Sequence, residues 1–383
     1  MRRVVLAAAV VLALLTPSAV AVAAPATPAA PDKAAPYIVV LKDGSDPGQV
    51  ADDGARNLGA DVHHVYRSAL HGYAARIPAG RLAQLRADPR VAYVEPDATV
   101  SVTSQTLPWG IDRINADASS TLAGNGSGTV GTVTTYVIDT GIDYYHTDLS
   151  VGAHGNFTGD GRNYDCNGHG THVAGTVGAK DNAQAVVGAA PGVALVGLKV
   201  LDCTGNGSVS TIIAAVDWVT AAAWKPAVVN MSMGGTASQA LDDAVRRSVA
   251  SGVLYVVAAG NNGDNACNYS PSRAGAGADN GIITVAATDA SNREPSWSNY
   301  GSCVDLWAPG VNIVSTYNNG GTATMSGTSM ASPHVAGAAA LYLSRNPTAS
   351  PAGTEALLKA YAALPPTLSK DGRPIKLVYA GWF

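Results

Sequence analysis

Beyond Trp109 the chain alternates between two kinds of segment. Apolar, β-branched runs at residues 136–138, 195–200, 228–231, 253–257 and 282–286 are separated by helix-like stretches that start near Gly170, cover 211–223 and 239–250, and close with 329–343. The runs stay apolar along their length instead of switching polarity at every residue, which is the pattern of strands covered on both faces. Strands of that kind form a parallel sheet with helices packed on each side, and the functional groups of such sheets gather beyond the carboxyl ends of the strands. The expected fold class is α/β, a doubly wound, mostly parallel sheet with helices on both faces.

A smaller unit precedes it. Residues 37–41, 62–66, 72–77 and 91–95 read as strands and 48–58 and 79–87 as helices, a βαββαβ order that makes a ferredoxin-like α+β split sheet with two helices on one face. The Ala-, Pro- and Thr-rich residues 25–36 cannot build a core and read as a linker, and the polar stretch 99–106 separates the small unit from the large one. At the start, Met1-Arg2-Arg3 leads into an apolar run at 4–15, too short to span a bilayer, with small residues following at Ala19, Ala21, Ala23 and Ala24. That layout is a signal peptide cut near Ala23 or Ala24. The expected organisation is a signal peptide at 1–24, a linker and small unit at 25–104, and the large domain at 105–383, in a secreted chain without a membrane anchor. A formal net charge of −4 and the lack of a long basic run give nucleic acid no footing. Four cysteines in an exported chain point to disulfides, with three connectivities open on spacing alone.

Three glycine-framed motifs carry chemistry. Asp139 ends the apolar run Thr135-Tyr136-Val137-Ile138, just before Thr140-Gly141 lets the chain turn. His169 sits in Asn167-Gly168-His169-Gly170-Thr171-His172, where the flanking glycines allow close backbone approach at a helix start. A zinc site is disfavoured there, because His169 and His172 are not four apart and no glutamate follows the first, as HExxH requires. Ser329 stands in Gly327-Thr328-Ser329-Met330-Ala331 at the start of a small-residue helix, where free N–H groups favour a developing negative charge. Pro333 is expected in that helix's first turn, where it breaks no intrahelical bond. An esterase of the α/β-hydrolase type would place its serine first and need G-x-S-x-G; here Ser329 comes last and Ala331 replaces the second glycine. A non-catalytic binding protein is the other rival, and all three members of an Asp-His-Ser set are present.

The chain order Asp, His, Ser and these motifs closely resemble the subtilisin-like serine peptidases, from Trp109 to the C-terminus. Within them the sequence is similar to the secreted proteinase K and aqualysin branch, since Cys166, Cys203, Cys267 and Cys303 fall where aqualysin-like enzymes carry theirs. The 37–97 unit resembles the family's inhibitory propeptides. The resemblance implies a serine endopeptidase with Ser329 as nucleophile, His169 as base and Asp139 orienting the imidazole. It makes Asn261 the oxyanion asparagine, and pairs Cys166 with Cys203 and Cys267 with Cys303. Substrate would add as a strand between Gly205-Asn206-Gly207 and Ser232-Met233-Gly234. Ala258, Ala259 and Gly260 would line an open, uncharged pocket suited to apolar or aromatic residues before the cut. No cofactor is implied for catalysis. A structural calcium is implied at Asp305, with carbonyls near Asn280 and Ile282. The expected partners are polypeptide substrates and the chain's own propeptide, for a monomer. His172 and His334 are expected to pack or hydrogen-bond, and His63, His64, His71, His146 and His154 to lie on the surface.

Overall fold

The computed structural model describes residues 34–97 and 105–383, so the expected signal peptide and most of both linkers lie outside the described residues. The chain divides into two compact units, Met1–Ser101 and Val102–Phe383.

The first unit runs β1 (Ala35–Leu41), α1 (Pro47–Leu58), β2 (Asp61–Tyr66), β3 (Gly72–Ile77), α2 (Leu82–Arg86) and β4 (Val91–Pro96). Its sheet has the order β2-β3-β1-β4, with β1 antiparallel to both neighbours. Helix α1 starts where the sequence tells it to: the Asp46 carboxylate accepts from the N–H groups of Gly48 and Gln49, and Pro47 occupies the first turn. It stops at Gly59, which takes the left-handed conformation at φ 66°. Val39, Val50, Tyr73, Ile77 and Leu85 form its own core.

The second unit comprises α3 (Trp109–Arg113), β5 (Thr134–Asp139), β6 (Val151–Asn156), α4 (His169–Gly178), β7 (Ala194–Lys199), α5 (Val209–Ala222), β8 (Ala227–Met231), β9 (Gly235–Thr236), α6 (Gln239–Ala250), β10 (Val253–Ala258), β11 (Tyr269–Ser270), β12 (Ile282–Thr288), β13 (Leu306–Pro309), β14 (Ile313–Tyr317), β15 (Gly321–Met325), α7 (Thr328–Arg345) and α8 (Pro351–Ala360). Seven strands form one sheet in the order β13-β12-β10-β8-β5-β7-β6, with every neighbouring pair parallel. The continuous apolar strands have two buried faces. Val137, Val228 and Val256 pack toward Val173 and Val177 of α4 and Val335 of α7. The residues between them, Tyr136, Val229 and Tyr255, pack toward Val216 and Val219 of α5 and Val245 of α6. This is the doubly wound arrangement that the runs demanded.

Helices α4 and α7 pack through small residues. A Cβ added at Gly337 of α7 would lie 3.0 Å from the Val177 carbonyl of α4, while one at Gly175 of α4, on the side facing β14, would lie 2.1 Å from Thr316 Oγ1. Among the described residues, no helix is long and apolar enough to cross a membrane.

Candidate active site

β5 is an interior strand of the sheet, and its last residue, Asp139, is fully buried. One carboxylate oxygen, Oδ1, accepts from the N–H of Thr140 at 2.7 Å and meets His169 Nδ1 at 2.7 Å. With Nδ1–H donated to the carboxylate, Nε2 is the nitrogen left for chemistry. His169 opens α4, and the chain reaches it through Gly168 at φ 104°, where a Cβ would lie 2.2 Å from the Tyr317 ring. Burial opposes a positive charge on His169, but the Asp139 charge and hydrogen bond, helped by Asp165, outweigh it and raise the imidazole above its usual pKa.

Ser329 is the second residue of α7. Its hydroxyl donates to the Ser232 carbonyl at 2.9 Å, and among the described residues no hydrogen bond joins it to His169. Both residues line one cavity of about 760 Å³. Pro333 lies past the first turn of α7, contrary to expectation, because the helix already begins at Thr328. Its missing N–H leaves the Ser329 carbonyl without an intrahelical donor, and the Ser232 hydroxyl supplies one at 2.7 Å. Ser232 thus fixes both the main chain and the side chain of Ser329. It is itself held by Asn230, whose Nδ2 donates to the Ser232 hydroxyl at 2.9 Å.

Asn261 follows β10. Its Oδ1 accepts from the N–H of Thr328 at 2.8 Å and from the Thr328 hydroxyl at 2.9 Å, which commits the oxygen and leaves Nδ2 to donate toward the cleft. Gly205, Asn206, Gly207, Ser232, Met233, Gly234, Ala258, Ala259 and Gly260 all line the same cavity, and among the described residues no Asp, Glu, Lys or Arg does. The N–H groups of Gly205 and Asn206 are spent on a turn closed by Asp202. The Gly205 carbonyl and both polar groups of Gly207 have no partner among the described residues, an every-other-residue pattern that suits strand addition. Disulfides join Cys166 to Cys203 and Cys267 to Cys303. The first ties the loop before His169 to the chain leading into Gly205.

The residues around Asp305 do not fit a resident calcium. Asp305 Oδ2 accepts from the N–H of Thr284 at 2.9 Å, while the ammonium of Lys359 on α8 sits 3.2 Å from Oδ1. The same ammonium lies 2.6 Å from Asp279 and 3.1 Å from Glu355. Glu355 is fully buried and also accepts from the N–H groups of Asn280 and Gly281, and the Asn280 side chain accepts from the N–H of Ile282. The carboxylate of Asp305 is thus already neutralised by a chain cation, shared with Asp279 and Glu355.

Two histidines expected on the surface are not there. His146 is buried, with Nε2 near the Gly321 carbonyl, and His154 is half-buried between the N–H of Ile142 and Asn163. His172 and His334 are fully buried, and desolvation, the largest cause, pushes each down to about 4. Sequence reasoning missed Asp165, Lys199 and Lys359. Only Asp165, four residues before His169, carried a local signal.

The subtilase family matches residues 131–377 and the peptidase inhibitor I9 family matches residues 36–103. The chain is 45% identical over 366 residues to an extracellular serine proteinase of a Thermus species, covering 90% of this chain and 86% of that protein. It is 40% identical to proteinase R of Parengyodontium album, covering 79% and 78%. A solved structure, that of a cold-adapted subtilisin-like serine proteinase, aligns with 43% identity and a TM-score of 0.63 over 71% of this chain and 97% of that one. A buried carboxylate bonded to a histidine at the end of a parallel strand, a serine at a helix start in the same cleft, and these matches lead to one statement: the chain belongs to the subtilase family of serine proteases and carries an I9 inhibitor domain ahead of its peptidase domain.

Proposed function

We propose that the protein is a secreted endopeptidase that cuts polypeptides through an acyl-enzyme on Ser329 and is made as a self-processing precursor. The observation that carries this reading is the 2.7 Å bond between Asp139 and His169 Nδ1, with Ser329 on the same cleft. The Ser329 hydroxyl turns from Ser232 toward His169 Nε2 as substrate binds; catalytic hydrogen bonds often tighten only then. Nε2 takes the proton as Oγ bonds to the scissile carbonyl carbon, and Asp139 stabilises the imidazolium. The carbonyl oxygen, now negative, is met by Asn261 Nδ2 and the N–H of Ser329. His169 returns the proton to the leaving amine, and water repeats the sequence to release the acid.

Extended substrate pairs with Gly205, Gly207 and Gly234, so binding rests mainly on backbone groups and sequence preference is modest. The uncharged wall at Ala258, Ala259 and Gly260 favours apolar or aromatic residues before the cut. The I9 domain acts as intramolecular inhibitor, and Ser329 removes it by cutting between residues 100 and 108. Export agrees with the Thermus relative, an extracellular serine proteinase. Mass spectrometry and a peptide assay on wild type and Ser329→Ala test the reading. Wild type should lose its first hundred or so residues and hydrolyse peptide, whereas Ser329→Ala should keep its propeptide attached and be inert. Near wild-type turnover by Ser329→Ala would end the triad assignment, and complete processing of pure Ser329→Ala would end self-cleavage.

A further inference from the structure

A second carboxylate stands behind the histidine. Asp165, only 5% exposed, accepts five hydrogen bonds. Its Oδ1 takes the Thr140 hydroxyl at 2.9 Å and the N–H groups of Asn167 and Gly168 at 2.9 and 2.8 Å. Its Oδ2 takes the N–H and hydroxyl of Thr171 at 3.0 and 2.6 Å. These partners bracket both halves of the Asp139–His169 pair. Thr140 directly follows Asp139 and donates its N–H to that carboxylate, while its hydroxyl oxygen also accepts from the N–H of Gly170, next to His169. Gly168 and Thr171 flank His169 at the first turn of α4, where the residue before the helix, Gly168, has no side chain to cap with. Asp165 and Thr140 do that capping from outside the helix.

We propose that Asp165 is a positioning residue for the triad: it locks the end of β5 to the start of α4 and holds a second negative charge behind the imidazole that must become positive during catalysis. This rests on the triad reading above. The other titratable groups packed around this region include Asp139 from β5, Asp143 in the turn after it, His154 on β6, Asp160 in the loop after β6 at 3.8 Å from the Lys199 ammonium, Lys199 on β7 and His172 on α4 itself. His172 is neutral near pH 7. Lys199 is fully buried and donates to the carbonyls of Thr140 and Leu201, so it sits on the same junction with the opposite charge. Asp165 therefore adds to the negative charge that Asp139 already places beside His169 and offsets part of the Lys199 charge.

Asp165→Asn keeps the shape but removes the charge and presents an NH2 group to donors. In the mature enzyme, kcat should fall about 10-fold or more with KM within about twofold, since the loss is in the transition state rather than in substrate binding. The acid limb of kcat/KM should move down by roughly half a pH unit, about a threefold loss of proton affinity at His169. Because a slow variant could also mature slowly, the imidazole titration is read by NMR in full-length Ser329→Ala with and without Asp165→Asn, where no turnover is needed. The same downward shift is expected. If Asp165→Asn does not fold, Thr140→Val decides: it removes the hydroxyl that links Asp165 to the N–H of Gly170, leaves every charge in place, and should lower kcat several-fold at constant KM. Wild-type kcat in both variants, or an unchanged His169 titration in folded Asp165→Asn, overturns the proposal and leaves the triad standing. Turnover by Ser329→Ala would instead remove the triad reading beneath it.

Discussion

Replacing Lys359 by methionine keeps most of the aliphatic stem and takes one positive charge from among Asp279, Asp305 and Glu355. The Lys359 side chain is 19% exposed, Asp305 8% and Glu355 not at all, so two of the three pairs are buried, while Asp279 at 36% is a surface partner of small weight. Removing one member of a buried ion pair costs about 3–5 kcal/mol. The lower end applies here, because Glu355 keeps two backbone donors and Asp305 keeps the N–H of Thr284. At roughly 2–4 °C per kcal/mol for a large domain, a loss of about 3 kcal/mol lowers the peptidase-domain Tm by roughly 6–12 °C. Calorimetry on the full-length Ser329→Ala chain, which cannot digest itself, reads this, with a chelator arm alongside. The lysine-bearing chain should keep its midpoint in the chelator. A midpoint shift under about 1 °C for Lys359→Met would refute the reasoning. So would a large chelator-induced fall that Asp305→Ala abolishes, since that would put a metal ion where the structure has an ammonium.

Asn261→Ala should cut kcat by about 100- to 1,000-fold with little change in KM, because the lost donor serves an oxyanion that the ground state lacks; steady-state kinetics on a peptide ester check it. Activity should rise with pH on an acid limb whose midpoint lies above the ordinary histidine value. His169 must be neutral to act as base, and although burial disfavours its charge, Asp139 and Asp165 raise its proton affinity. A kcat/KM profile flat from about pH 5 to 8 would contradict that.

The parallel sheet was legible because its interior strands are unbroken apolar runs, and α6 because Ser238 caps it before an amphipathic stretch. The edge strand β6 was not, since Val-Gly-Ala-His-Gly-Asn has neither a β-branched run nor an apolar face, and it forms only against β7. Helix α8 carried a readable start in Ser350-Pro351, and its short, mixed sequence hid the rest. The three site motifs stood out because glycines must flank groups approached this closely. What surrounds them did not, because the partners are remote in sequence. Ser232 reaches Ser329 across 97 residues, and Lys359 reaches Asp305 across 54. The burial of His146 against the β14–β15 hairpin likewise depends on a contact 175 residues away.

The close seam between α4 and α7 bears on how this enzyme could be bred for new substrates. His169 and Ser329 stand in the first turns of these helices, Gly337 of α7 meets Val177 of α4, Gly175 of α4 meets β14, and neither glycine has room even for a methyl group. Randomising them would fill a library with dead clones, since backbone and packed neighbours would have to move to admit a larger side chain. Leu201, Val209 and Ile212 also line the cleft but stand on its wall, outside that seam. Diversity loaded there can reshape what the cleft accepts while the helices that hold His169 and Ser329 stay untouched.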